Sequence, residues 1–341
     1  MANTVVILGA RGRFGLAAAM AFANAGWSVV AHKRPGSSVP WQVSSDSRIT
    51  WVALDLQDTQ GWAKAAQGAC VVVHAINPVY TDGEWRRQAL PLLESGITLA
   101  RTLQATLMLP GNVYNFGSSM PAQLTEETRQ LADTVKGRIR MDMEARLQAS
   151  GIHSVVIRAG DFFGCGTGSW FDQVMAKELR KGVLTYPGER DTPTAWAYLP
   201  DLAKCFVAVA ERRAELPNFD VLHFAGHTLT GQDWLDALSK IALDQGWIAT
   251  GTGVGWRSLP WPLLKLMGYF NPVYASLYEM RYLWRRPHAL VNAKLVRLLG
   301  AEPHTPLQVA LPRVLQDLGL AKASQDEACS HPSHREGYEG V

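Results

Sequence analysis

Apolar residues come in short β-branched or aliphatic runs through the first half of the chain, separated mostly by stretches with helical spacing. Thr4 to Leu8 is the first run. A glycine-rich turn and an alanine-rich segment, Leu16 to Ala25, follow it, with Gly26 placed to end that helix. Further strands are predicted at Trp27 to His32, Ile49 to Leu54, Cys70 to Ala75, Asn112 to Phe116 and Ser154 to Ile157. Hydrophobic strands alternating with helices imply a parallel sheet covered on both faces, because parallel neighbours need crossover connections. The predicted fold class is α/β, a Rossmann doubly wound parallel sheet over residues 1–160, with later segments free to return to it.

Beyond residue 160 the pattern changes to loops rich in Gly and Trp between longer helices, predicted at Trp170 to Lys181, Pro200 to Arg213, Gly231 to Gln245 and Asn271 to Arg286. A smaller, mainly helical C-terminal substrate domain is expected over 161–320. Residues 321–341 are polar and rich in Ser, His and Gly, which predicts a disordered tail.

Composition narrows the partners. Hydrophobic residues make up 47% and charged residues 18% of 341, enough apolar surface for a large core. A net charge of +3 gives no whole-chain reason to expect nucleic acid. The opening segment reads as a strand and not a signal peptide, and no apolar run approaches the roughly 20 residues that span a bilayer. A cytoplasmic protein is expected, with a small-molecule substrate and a homodimer allowed for. Cys70, Cys165, Cys205 and Cys329 are scattered without pairing motifs, so reduced thiols are expected. His223 and His227 have a spacing seen in metal sites but no acidic or thiol companions, and they read as structural.

The most informative motif is Gly9-Ala10-Arg11-Gly12-Arg13-Phe14-Gly15, lying between the first strand and the first helix. Glycines there permit a tight turn and let backbone N–H groups approach a pyrophosphate at the helix N-terminus. This predicts a nicotinamide dinucleotide. The end of the second strand, His32-Lys33-Arg34-Pro35, lacks the Asp or Glu that binds an NAD ribose, and Lys33 and Arg34 suit a 2′-phosphate. One charge-assisted bond contributes about 1.5–3 kcal/mol. NADP (as NADPH) is therefore favoured over NAD, the alternative being that both cations are solvated loop charges. Asp55 and Leu56, closing the third strand, extend the expected cofactor set, with a helix N-cap as the alternative role of Asp55.

In order along the chain, the glycine motif, Asp55-Leu56-Gln57-Asp58, Val73-His74-Ala75, Ile157 to Gly164 and Tyr198 to Ala203 resemble the short-chain dehydrogenase/reductase superfamily, in its extended and atypical, epimerase/dehydratase-like branches. The resemblance adds Ala75 to the expected cofactor-binding residues and implies a Tyr-x-x-x-Lys catalytic pair. Here Lys136 stands at the tyrosine position and Arg140 at the lysine position. Phe116-Gly117, Lys136, Ile139-Arg140, Glu144, Ser150-Gly151-Ile152 and Phe162-Phe163 resemble locally the isoflavone reductase group, whose implied catalytic residue is a lysine at the position of Lys136. The alternative is a solvent-facing helix on which Arg140 pairs with Glu144 at i,i+4.

The expected function is an NADP-dependent oxidoreductase that delivers hydride to a small organic substrate, with Lys136 assisting proton transfer. A sugar-nucleotide epimerase or dehydratase and a non-catalytic NADP-binding regulator are the alternatives. Between Arg257 and Arg313 stand eight basic and two acidic residues. That region reads as a helix over the substrate cleft, or as a contact with a membrane surface or an anionic substrate.

Overall fold

The computed structural model describes residues 3–40, 43 and 45–321. Of the predicted tail, Ala321 donates its N–H to Leu315 O (3.1 Å), and 322–341, Cys329 among them, lie outside the described residues. In chain order the elements are β1 (Thr4–Leu8), α1 (Arg13–Asn24), β2 (Ser28–His32), β3 (Ile49–Val52), α2 (Thr59–Ala65), β4 (Ala69–His74), α3 (Asp82–Leu103), β5 (Thr106–Gly111), β6 (Gln123–Leu124), α4 (Val135–Ala149) and β7 (Ser154–Arg158). They continue with β8 (Asp161–Phe163), β9 (Val183–Tyr186), β10 (Thr194–Tyr198), α5 (Leu199–Glu211), β11 (Phe219–His223), β12 (His227–Leu229), α6 (Gly231–Asp244), β13 (Gly255–Ser258), α7 (Trp261–Met267), α8 (Pro272–Glu279), β14 (Ala289–Leu290), α9 (Ala293–Leu299) and α10 (Leu307–Asp317).

Seven strands form one sheet in the order β11-β7-β5-β4-β1-β2-β3, with every neighbouring pair parallel. Side chains alternate across it. Val5 and Ile7 join the core under α1 and α5, whereas Val6 and Leu8 join the opposite core with Trp62, Trp85 and Leu93 of α2 and α3. Strand order reverses direction between β1 and β4, and ligands of doubly wound sheets bind beyond the strand ends at such a point. The chain comes back to this sheet at β11, long after residue 160. A third, aromatic core built on Phe163, Phe171, Trp196, Trp234 and Trp284 holds the mainly helical C-terminal region together. Among the described residues no helix is long and apolar enough to cross a membrane.

Three expectations need correction. The fifth strand is Thr106–Gly111, and the predicted strand Asn112 to Phe116 contains a 3-10 turn, Tyr114–Phe116. Pro110 argues against a strand by its missing donor, yet it stands at the strand's end, opposite Ile157. The helix predicted from Asn271 to Arg286 ends at Glu279 and tightens to a 3-10 turn over Met280–Trp284. There Tyr282, Leu283 and Trp284 bury at successive positions, which one stripe of an α-helix cannot do. Trp170 to Lys181 is likewise broken, into the π-helical turn Phe171–Met175 and the 3-10 turn Leu179–Lys181.

Candidate functional site

Gly9 leaves β1 with φ +80°, and a Cβ there would lie 2.9 Å from the carbonyl oxygen of Ala75, so the turn presses against the end of β4. A Cβ at Gly15 would collide with the carbonyl of Gly9. Both glycines are required by close approach. Gly12 is the N-cap of α1 with extended dihedrals, and the helix has neither a side-chain cap nor an acidic residue in its first turn. Its first N–H groups and its dipole therefore favour an anion. A Cβ at Gly12 would meet only the Gly9 carbonyl, at 3.2 Å. The cradle fits a dinucleotide pyrophosphate.

Gly9, Ala10, Gly12, Gly15 and Ala75 thus meet at the reversal between β1 and β4, where Ala10 N–H donates to His32 O (3.2 Å) and Ala75 N–H to Leu8 O (2.9 Å). Arg11 is exposed on the turn. Arg13 donates to the carbonyls of Gly164 (2.7 Å) and Cys165 (3.2 Å), tying α1 to the loop after β8. The Phe14 ring is buried edge-on against Phe206 (4.7 Å), so only its backbone faces the turn region. Lys33 and Arg34 follow β2 at the same end of the sheet. Lys33 Nζ donates to Ser37 O (2.7 Å), and Arg34 is exposed. Asp55 accepts from Gln57 N–H (2.9 Å), and the cap of α2 is Asp58, which accepts from Gly61 N–H (2.9 Å). Leu56 packs beside α2.

Helix α4 starts at Thr134, whose hydroxyl accepts from Gly137 N–H (3.2 Å), and presents Lys136, Arg140 and Glu144 on one inward face. A Cβ at Gly137 would press on the Tyr114 carbonyl, so this glycine seats the helix against the turn after β5. Lys136 is wholly enclosed, ion-paired with Asp82 in the first turn of α3 and 4.5 Å from the Tyr80 ring centre. Asp82 also accepts from the Ser276 hydroxyl (2.8 Å) of α8. Partial burial pushes its carboxyl up, but the bonds from Lys136 and Ser276 outweigh this and hold it below the usual range. Arg140 donates to Asn77 Oδ1 (3.0 Å) and Pro110 O (3.3 Å) and lies over Trp85.

Glu144 does not pair with Arg140, so the solvent-facing helix is excluded. It accepts from Arg158 at 3.0 and 2.6 Å, both side chains being buried, and from Gln130 at 3.2 Å. Removing one partner of such a pair strands the other charge. Glu144→Gln should therefore cost about 3 kcal/mol or more of stability, read as a lowered midpoint in urea unfolding. An unchanged midpoint would show that the pair is dispensable.

Sequence reasoning did not single out Asp161, Tyr80 and Tyr114. The Tyr80 and Tyr114 hydroxyls are 3.3 Å apart, and burial raises both, Tyr114 to about 12, so both stay neutral. Asp161 opens β8 opposite Trp196, and its charge acts on both tyrosines. Among the described residues no hydrogen-bond donor reaches its carboxylate, and burial pushes it up to about 7. The signal was a lone carboxylate within the apolar motif Ile157 to Gly164. Other candidates are spent on structure. His223 bonds Leu124 O (3.0 Å), and His227 stacks on His304 (4.5 Å). No group of metal-binding residues occurs among the described residues. Cys70, Cys165 and Cys205 are free thiols, and burial raises Cys165 to about 11, which opposes a thiolate nucleophile.

Solved structures share this fold. A candidate epimerase from Burkholderia cenocepacia J2315 aligns with 94% of this chain and 99% of its own at 17% identity, with a TM-score of 0.71. MoeE5 in complex with UDP-glucose and NAD aligns over 93% and 98% at 14% identity and a TM-score of 0.70. UDP-glucose 4-epimerase from Brucella ovis in complex with NAD aligns over 93% and 99% at 16% identity, again at 0.70. No curated protein matches by sequence. Residues 5–223, more than half of the sequence, match the model of the NAD dependent epimerase/dehydratase family, and the chain belongs to that family.

Proposed function

We propose that the protein is a nicotinamide-dependent oxidoreductase with NADPH preferred, acting on a small polar substrate between α4 and β8. The observation that carries this reading is the uncapped N-terminus of α1 at the strand reversal, with an enclosed Lys136 at the position of the family's tyrosine. Bound there, the cofactor would exchange hydride with the substrate. The chain supplies the rest. Asp161 is the group free to exchange a proton with a substrate oxygen, since no protein donor holds its carboxylate. Lys136 assists as a fixed positive charge, because its ammonium is sealed behind Asp82 and Tyr80. The two neutral tyrosine hydroxyls are bonded to each other, which leaves one O–H of the pair to donate to a substrate oxygen. We place the reaction in the cytoplasm.

The preference for NADPH rests on Lys33 and Arg34, although solved neighbours carry NAD in their descriptions. Fluorescence titration should show NADPH bound at least about tenfold more tightly than NADH, the scale of one charge-assisted phosphate contact. Arg34→Ala should erase most of that difference while NADH binding changes little. Equal affinities in the unaltered protein would return the choice to NAD.

A sugar-nucleotide epimerase or dehydratase is the second reading, favoured by the UDP-sugars named with the neighbours. Incubation with UDP-glucose and with a panel of carbonyl and enone compounds separates the two. Net NADPH oxidation supports the first reading; conversion of UDP-glucose without net oxidation supports the second. Tight cofactor binding with no turnover of any kind would point to a regulator.

A further inference from the structure

Four of the large apolar side chains exposed among the described residues lie within eight positions: Leu263 (50% exposed), Leu266 (57%), Tyr269 (77%) and Phe270 (86%). They occupy α7 and the turn into α8. The base of this hairpin is anchored. Trp261 is buried and donates from Nε1 to Pro187 O (2.7 Å), while Ser276 is buried against Asp82 of α3. A Cβ at Gly268 would lie 3.0 Å from Ala275 Cα, so the two helices cross closely and the turn Tyr269-Phe270 projects from them. Tip residues this exposed form a convex wedge.

From Ser258 to Tyr278 the one charged residue is Lys265, exposed between Leu263 and Leu266. Arg281, Arg285 and Arg286 follow α8 and line a surface depression together with Asp133 and Glu279. Arg281 lies 3.8 Å over the Tyr278 ring, with Lys265 5.9 Å from the same ring, which places both cations at the hairpin's base. The one acidic residue between Arg257 and Arg286 is Glu279, which is turned inward to accept from Val135 N–H (3.1 Å). Arg257 is already paired with Glu178. A wedge of aliphatic and aromatic side chains that carries Lys265 among them, Arg281 at its base and no acidic residue from Ser258 to Tyr278 is complementary to an anionic lipid headgroup layer over an apolar interior.

We propose that the α7–α8 hairpin docks the protein on the surface of a bilayer carrying anionic lipids, with Leu263, Leu266, Tyr269 and Phe270 entering the interface. Such a segment lies on a membrane without spanning it. A second copy of the chain fits less well. An aromatic side chain buries at most roughly 150–250 Å², two of the four residues are leucines, and all four are already partly covered by their own chain, so together they fall short of the roughly 800 Å² per partner of a stable interface.

Co-sedimentation of the full chain with vesicles tests this directly. Vesicles of two parts phosphatidylcholine to one part phosphatidylglycerol should bind at least about tenfold more tightly than phosphatidylcholine alone at low salt, and added salt should weaken the binding. Tyr269→Ser combined with Phe270→Ser should weaken binding to both vesicle types by about tenfold or more through lost apolar burial. Lys265→Ser should cut the preference for the anionic vesicles severalfold. All three positions are exposed, so the variants should melt as the unaltered protein does. Failure of that protein to sediment with the mixed vesicles overturns the proposal, as does undiminished binding by the Tyr269/Phe270 variant. A dimer in sedimentation equilibrium that this variant splits would assign the face to a second copy and also overturn it.

Discussion

Asp161→Asn should lower turnover by about 10² to 10⁴, the usual scale for loss of a general acid or base, and should leave NADPH affinity nearly unchanged. Reduction of a carbonyl consumes the protonated carboxyl, so its rate should fall as pH rises through about 7, where burial places this group. Oxidation in the reverse direction consumes the carboxylate and should rise through the same range. The Asn variant should lose that limb in both directions. Protein stability gives a check that needs no substrate. The folded carboxyl titrates above its unfolded value of about 3.9, so its contribution is fully present below pH about 4 and is lost as pH rises through about 7. Asp161→Asn removes this decline, and the variant's melting temperature relative to the unaltered protein should climb between those pH values. A flat difference would show that Asp161 titrates as an ordinary carboxylate and is not the proton-exchanging group.

The cofactor half of the site was legible because its chemistry is local. A glycine needed for φ > 0 at the end of β1, and another needed for close packing at Gly15, must fall at fixed offsets along one strand–turn–helix unit, and the motif reports them without knowledge of the fold. The reaction half is assembled from afar. Lys136 meets Asp82 across 54 positions, Asp82 meets Ser276 across 194, and Glu144 meets Arg158 across 14 from another element. Spacing along α4 alone suggested an Arg140–Glu144 pair, and tertiary packing replaced it with the buried partner from β7. The misplaced fifth strand has a similar origin. Aromatic residues at Tyr114 and Phe116 mimic a strand signal, whereas the sheet takes the buried run before them and leaves Tyr114 to meet Tyr80.

Those distant partners decide what Lys136 can do, and two substitutions there should behave differently. Lys136→Met keeps much of the side-chain volume and removes the charge. Asp82 is partly exposed and keeps its bond from Ser276, so it remains solvated and the fold should survive. Turnover should fall, but by less than the roughly 10² to 10³ that follows loss of a donor in direct contact with a developing negative charge, because the sealed and paired ammonium acts only through its field. Lys136→Arg keeps a positive charge that does not release a proton at workable pH. If Lys136 acts through its field while Asp161 moves the proton, the arginine variant should hold turnover within about tenfold of the unaltered protein. The rate limb near pH 7 should persist in both variants. The larger guanidinium must enter an enclosed site, and overpacking costs about 1–3 kcal/mol, so melting curves for both variants accompany the kinetics. An arginine variant that is folded, binds NADPH and yet fails as badly as methionine would make Lys136 the proton donor itself. Its ammonium would then have to leave Asp82 and reach the substrate during the reaction.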